Sequence, residues 1–320
     1  MGSNMITTLT ANPCIDKTLV TEKFDLYKMN RVRILRSDFG GKGINVSAAV
    51  HNLGGDTLCT GLCFQNNRTA FMQKMQELSI PCEMIVLPGE MRSCYKLFDQ
   101  SLRHTIEINE YGADVPSDAE DQLLEKVEQL APASSIFTLS GSLPKGFTPD
   151  FYAKCASVIR NLNPECRILA DAEQTLLLKA LETKSISILK PNIHEFQATF
   201  SCSVNTVEEL DRVAKEVLHR YDVELLCVSM GAKGAYITNG TEAYFCEAPR
   251  VEVRSIQGAG DSLIAGMCMA LEQNKTLPEI LLYGVCAAGD SISREGTLLC
   301  TGEGVEKLLQ KSPPALRKLS

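Results

Sequence analysis

Along most of its length the chain alternates short apolar runs with segments whose apolar residues recur at helical spacing, and this alternation limits the fold most severely. Apolar runs at residues 5–11, 57–62, 83–87, 135–139, 167–171, 186–189 and 224–229 read as strands. Residues 69–78, 118–130, 151–162, 176–181 and 207–221 read as helices, and a further helix opens at Gly40-Gly41-Lys42-Gly43 and runs to Leu53. Repeated strand–helix units predict an α/β fold: a doubly wound, mainly parallel sheet flanked by helices, with functional residues at the carboxyl ends of strands. Two stretches break the alternation. Residues 18–22 and 32–39, with a two-stranded segment turning near 99–103, have mixed polar and apolar faces and predict a small sheet apart from the core. A hairpin is expected about Asn239-Gly240. Two long helices, 261–273 and 277–293, are expected to close the fold.

A chain of 320 residues, 44% hydrophobic and 22% charged, is long and apolar enough for a large buried core. Its 32 basic and 39 acidic residues leave a net charge of −7, which disfavours a broad nucleic-acid or anionic-membrane surface. A phosphate would have to be met by a local cluster of cations. Thirteen cysteines are scattered without a Cys-x-x-Cys, beside only four histidines, and read as buried thiols of a reducing cytoplasm rather than zinc ligands or disulfides. No secretory signal or apolar run of membrane-spanning length is visible. Residues 1–4 read as a leader added by cloning before a start at Met5, although Met1 could itself be the start, and Ile6 excludes a myristoylation signal.

Gly258-Ala259-Gly260-Asp261 stands directly before a helix that is apolar all round, so its N-terminus is expected to be fixed and dry. The small residues let backbone N–H groups converge where the helix dipole favours an anion. Asp261 is then either an N-cap or the base of a phosphoryl-transfer centre, with Gly258, Ala259 and Gly260 as its anion hole. Gly41, Lys42 and Gly43 at the other helix start, with Asn45 within its first turn, suit a polar or anionic ligand; a plain glycine turn is the alternative. Asp16, just after a strand, suits two neighbouring sugar hydroxyls or a turn cap. Asn192 and Glu195, three residues apart, suit a hydrated magnesium ion or a capped helix start. Arg31, Lys42 and Arg92 are three cations near these motifs and favour a phosphorylated acceptor. Neither a Walker A loop nor a dinucleotide fingerprint is present.

The sequence resembles the ribokinase-like, phosphofructokinase-B (PfkB) sugar kinases, most closely the branch of 1-phosphofructokinase and tagatose-6-phosphate kinase. The resemblance rests on Asn12-Pro-x-x-Asp16, Asn30-Arg31-Val32, Gly40-Gly-Lys-Gly-Ile-Asn45, Ser140-Gly-Ser-Leu-Pro144, Lys190-Pro-Asn-x-x-Glu195, Ser229-x-Gly-x-x-Gly234 and Gly258-Ala-Gly-Asp261. It implies a kinase core of residues 5–14, 40–91 and 110–320 and a β-sheet lid of residues 15–39 and 92–109. It also implies Asp261 as base, and a sugar-phosphate site including Ser142 besides Asp16, Arg31, Gly41, Lys42, Gly43, Asn45 and Arg92. Lys190, Asn192, Ser229, Gly231, Lys233, Gly234 and Gly260 would meet ATP, with Mg2+ held through water at Asn192 and Glu195. The implied activity is ATP-dependent phosphorylation of fructose 1-phosphate at its C6 hydroxyl. Tagatose 6-phosphate is the alternative acceptor, and a non-catalytic sugar-phosphate sensor the alternative class. A cytoplasmic homodimer through the lid is the implied assembly. The chain departs from the pattern at Cys94, where 1-phosphofructokinases usually carry Asn, at Ile106, where Thr is common, and after Gly296-Thr297, where a glycine is usual.

Overall fold

The computed structural model describes residues 5–296 and 298–320. The first part of the chain runs β1 (Met5–Thr10), β2 (Cys14–Thr21), β3 (Arg33–Gly40), α1 (Lys42–Asn52), β4 (Thr57–Phe64), α2 (Arg68–Glu77), β5 (Cys82–Leu87), β6 (Arg92–Asp99) and β7 (His104–Asn109). It continues through α3 (Ala119–Leu130), β8 (Ser134–Gly141), α4 (Phe151–Leu162), β9 (Arg167–Ala172), α5 (Gln174–Glu182), β10 (Ile188–Leu189), α6 (Ile193–Phe200) and α7 (Val207–Tyr221). The last part is β11 (Leu225–Ser229), β12 (Gly234–Thr238), β13 (Ala243–Glu247), α8 (Ala259–Glu272), α9 (Leu277–Ile292), α10 (Gly302–Lys311) and β14 (Leu316–Lys318).

Ten strands form one sheet in the order β14-β13-β12-β11-β10-β9-β8-β1-β4-β5, parallel from β5 to β11 and antiparallel beyond. The chain leaves β1 toward β4 on one side and later returns to β8 on the other. Between the carboxyl ends of β1 and β8 lies the topological switch point, where open α/β sheets hold ligands. The strand period of two sends neighbours such as Ile136 and Phe137 to opposite faces, so the sheet separates two hydrophobic clusters. One contains α3, α4, α5 and α7; the other contains α1, α8 and α9. α8 is buried from Asp261 to Leu271 because it is enclosed on all sides. Its contact with α9 is close enough that a Cβ on Gly266 would lie 2.9 Å from the Cβ of Ala287.

The predicted small sheet is present, in the order β3-β2-β6-β7, with β2 and β6 parallel and the outer pairs antiparallel. Elsewhere the structure departs from the sequence reading at a few places. α8 begins at Ala259 rather than Asp261, and β10 is only two residues long. The two long helices do not close the fold, since α10 and β14 follow them. β14 is exposed throughout and has no apolar period; it forms because β13 leaves an edge to pair with. The leader reading of residues 1–4 lies outside the described residues.

α1 starts at the end of β1, and its placement depends on Gly43. A Cβ there would lie 2.5 Å from the Leu9 carbonyl oxygen and 2.6 Å from Thr10 Oγ1, the hydroxyl that accepts the Ile44 N–H at 2.9 Å. Gly43→Ala should therefore lower stability by about 1–3 kcal/mol, the usual range for overpacking. Urea unfolding measures this, and an unchanged midpoint would mean that α1 is free to shift.

Candidate active site

The first turn of α8 is set by Gly258, which holds the N-cap position in a left-handed conformation at φ 70°. A Cβ at this position would stand 2.4 Å from Leu299 Cδ2, so both backbone and space require glycine. Ser262 N–H closes the first helical bond onto the Gly258 carbonyl at 2.8 Å. The N–H groups of Ala259, Gly260 and Asp261 precede it and have no acceptor within the helix. Asp261 is thus the third helical residue and not the N-cap. It is 8% exposed, and its Oδ2 accepts from Asn45 Nδ2, in the first turn of α1, at 2.8 Å. Burial raises its pKa from 3.8 to about 6; the Asn45 hydrogen bond, Lys42 and Lys190 oppose the rise, and Asp171 adds to it.

Asp171, next to last in β9, has a buried side chain that bridges Lys42 Nζ at 3.1 Å and Lys190 Nζ at 3.3 Å. Burial pushes its carboxyl up, but the two ammonium groups outweigh this and hold it below the ordinary carboxylate range. Lys42 is the reverse case: burial favours its neutral form, yet Asp171, Glu195 and Asp261 together raise it. Lys190 reaches the start of α8, its Nζ 3.7 Å from where a Gly260 Cβ would be. Lys42 therefore stands with Lys190 beside Asp261, and its ion pair is with Asp171.

Asn192 and Glu195 form a capping box at the start of α6. Asn192 Oδ1 accepts from His194 N–H and Glu195 N–H, both at 2.9 Å, and Glu195 Oε2 accepts from Asn192 N–H at 2.8 Å. Asn192 also bridges Ser229 at the end of β11. The turn after β11 exposes Gly231 and Lys233. Gly234 closes that turn at φ 117°, where a Cβ would meet the Cys246 carbonyl oxygen at 2.0 Å.

Across the switch point, Asn12 Nδ2 donates to Ser142 Oγ at 3.2 Å and to the Leu143 carbonyl at 3.3 Å. Arg92 donates from Nη1 to the Glu110 carbonyl and from Nη2 to the Asn12 carbonyl, at 3.2 and 3.3 Å, while its buried Nε has no partner among the described residues. Asp16 is buried and paired through Oδ1 with Lys96 Nζ at 2.9 Å. The registers place Cys14, Asp16, Asp38, Arg36, Cys94, Lys96 and Glu107 on one face of the small sheet. That face turns toward the large sheet's body, because Arg36 lies 3.4 Å from where a Gly296 Cβ would be. On it the Cys94 thiol is lowered to about 7 by its hydrogen bond with Cys14, against burial and with help from Arg92.

The structure gathers Asp261, Gly258, Ala259, Gly260, Asn45, Lys42 and Lys190 at one end of the cleft. Asp16, Arg92 and Ser142 belong to the small sheet and the switch point. Gly41 is the N-cap of α1. Arg31 is exposed. Two residues were not foreseen. Asp171 could have been, since it is a carboxylate ending an apolar strand; Lys96 sits in a strand of mixed pattern and gives no such signal.

A family model described as pfkB family carbohydrate kinase matches residues 9–303. The chain is 30% identical to 1-phosphofructokinase of Borreliella burgdorferi over 308 residues, 95% of this chain and 96% of that protein. It is 27% identical to tagatose-6-phosphate kinase of Staphylococcus epidermidis, covering 87% of this chain and 88% of that one. It is also similar to phosphofructokinase-2 from Escherichia coli in complex with substrates and products, with a TM-score of 0.87, 25% identity, and coverage of 95% and 97%.

The raised pKa of Asp261 has a consequence for stability. Between 3.8 and about 6 the native chain holds a proton that the unfolded chain has released, so stability falls as pH rises through this window and levels off above it. At roughly 1.4 kcal/mol per pH unit the ionised carboxylate costs on the order of 3 kcal/mol. Asp261→Asn should be more stable than wild type at pH 7.5, by an amount that shrinks toward pH 4 (about 3 kcal/mol at most). Urea unfolding of both proteins at the two pH values measures this; equal stability at pH 7.5 would contradict it.

Proposed function

This chain belongs to the pfkB family of carbohydrate kinases, and on that premise we propose that it transfers the γ-phosphoryl group of ATP to the C6 hydroxyl of fructose 1-phosphate. The observation that carries the reading is Asp261, buried at the start of α8 and held on one oxygen by Asn45. The bond to Oδ2 leaves Oδ1 to accept the proton of the attacking hydroxyl. Burial makes the carboxylate a stronger base, while a pKa of about 6 keeps it ionised at neutral pH. The unclaimed N–H groups of Ala259 and Gly260, with the positive end of the helix dipole, suit the charge of the transferring phosphoryl group. Lys190 flanks the same turn, and Lys42 stands beside it, both fixed by Asp171. In a loose transition state such positioning supplies most of the acceleration.

ATP would lie from the start of α8 toward the exposed turn of Gly231 and Lys233, with Ser229 beneath it. Glu195 spends one oxygen on its capping box and would use the other to hold a water of the hydrated Mg2+, while Asn192, whose Oδ1 is taken by two backbone N–H groups, would keep Glu195 in position. When bound, the ion neutralises phosphate charge.

Asp16, oriented by Lys96, would accept sugar hydroxyls. The acceptor's phosphate would meet Arg92, whose buried Nε has no partner among the described residues, with Arg31 at the rim. The small sheet then acts as a lid over the sugar. Its other face carries apolar residues that remain uncovered, Ile34 at 60% and Ile108 at 52% exposed, and this supports a homodimer through that face. The thirteen unpaired cysteines suit a reducing cytoplasm. Tagatose 6-phosphate is the second reading, favoured by the tagatose-6-phosphate kinase relative.

A coupled ADP-release assay with fructose 1-phosphate, fructose 6-phosphate and tagatose 6-phosphate tests the proposal. Fructose 1-phosphate should give the highest kcat/KM, and ADP release that none of the three stimulates would overturn the reading. In the same assay Asp261→Asn should lose roughly 10²–10⁴ in kcat with little change in either KM, the range for a positioned general base. Wild-type turnover would remove Asp261 from the mechanism.

Arg92→Ala should reduce sugar-phosphate kcat/KM by about 2–5 kcal/mol, the range for truncating one partner of a buried charge pair, and leave the KM for ATP nearly unaltered. Part of the loss should fall on kcat, because the remote phosphate contact helps align the hydroxyl. The comparison that decides is fructose 1-phosphate against fructose: a phosphate contact must erode that preference, and an unaltered preference would show that Arg92 only ties Asn12 to Glu110.

A further inference from the structure

Cys14 and Asp16 stand two apart on β2, and Cys94 stands opposite Asp16 on β6. All three are buried, and one ligand atom from each, the two Sγ and a carboxylate oxygen, lie within 4.8 Å of one another. Gly40 borders the group. A Cβ there would be 2.4 Å from Asp16 Oδ2 and 3.8 Å from Cys14 Sγ, so the missing side chain leaves space beside these two atoms. Lys96 holds Oδ1 at 2.9 Å and so fixes the carboxylate.

We propose that Cys14, Cys94 and Asp16 form a binding site for a soft divalent cation of the zinc type, and that an ion bound there excludes the sugar phosphate. The exclusion rests on Asp16 serving the sugar as proposed above; the metal site does not. Two thiolates and a carboxylate are three ligands of a tetrahedral zinc site, with the fourth position open to water. Thiolate donors select such ions over hard Mg2+. The two cysteines occupy diagonal positions on neighbouring parallel strands, and their thiols are hydrogen-bonded to one another. An ion bonded to both sulfurs at about 2.3 Å would take the place of that hydrogen bond. With Lys96 alongside, the ion's charge balances the three anionic ligands. Spacing along the chain conceals the group, because its members come from strands far apart in sequence; the cysteines that read as scattered thiols meet only in the fold.

Direct binding tests this on the full-length, fully reduced protein. Zinc affinity is measured by competition with a chromophoric chelator, and cobalt(II) reports the ligands through its sulfur-to-metal charge-transfer absorption. One ion per chain is expected. Cys14→Ser and Cys94→Asn should each weaken zinc by more than roughly 100-fold, beyond the effect of losing an outer-shell partner. Both should also lose charge-transfer intensity. Cys82→Ser, a partly exposed thiol outside the group, should change neither. Fructose 1-phosphate should weaken zinc in proportion to its concentration, as mutual exclusion requires. Affinity and absorption unaltered in both thiol variants would overturn the site. Indifference to fructose 1-phosphate in an enzyme that turns it over would overturn the exclusion. If the enzyme uses no sugar phosphate, the kinase reading fails, and the cobalt absorption still judges the metal site.

Discussion

The hydrogen bond from Asn45 to Asp261 joins the first turns of α1 and α8 across 216 residues of chain, and the rest of the site depends on that junction. Each helix start is fixed independently: α1 by the glycine contact of Gly43 with the end of β1, α8 by Gly258 wedged against Leu299. Two helix dipoles therefore converge on one place, and the chain buries its own carboxylate there. Burial raises Asp261 to about 6 despite the hydrogen bond and the two lysines, so the arrangement compensates the charge only in part. A charge kept at such a cost in the interior of a cleft makes Asp261 a candidate for a working group.

Asp171 supplies the complementary half of the electrostatics. Without it, Lys42 and Lys190 would repel one another beside a helix start that already favours anions. With it, both ammonium groups are held in place before any ligand arrives. Removing one member of such a buried set leaves the others unpaired, which is why its members act as a unit. The small sheet contributes the other wall. Its polar face carries Asp16, Lys96, Asp38 and Arg36, and Arg36 lies close to Gly296 in the segment after α9, so this charged face borders the cleft.

Much of this was legible in the sequence because the α/β core repeats one pattern. Helices 151–162 and 207–221 are read from the sequence with the same bounds they have in the structure, since each has a clean apolar face, and Thr206 caps the second. Asp261, Asn45 and Lys42 stand out in the sequence because glycine-rich turns mark helix starts, and the structure brings them together. What escaped is what pairing alone decides. β14 has no apolar period and exists through the free edge of β13; Lys96 and Cys94 gain meaning only opposite Asp16; Asp171 matters through two lysines brought from elsewhere. Asn192 and Glu195 read as cap or ion ligands in sequence, and in the structure both side chains close the cap.

The most direct test is a crystal structure of Asp261→Asn with fructose 1-phosphate and ATP bound, its turnover suppressed by the substitution. The account predicts the C6 hydroxyl oxygen within about 2.6–3.2 Å of the side chain at position 261, the reach of a general base. The 1-phosphate should lie toward Arg92 and the small sheet. A sugar turned the other way, with its own phosphate on the first turn of α8 and its C6 hydroxyl out of reach of position 261, would contradict the account.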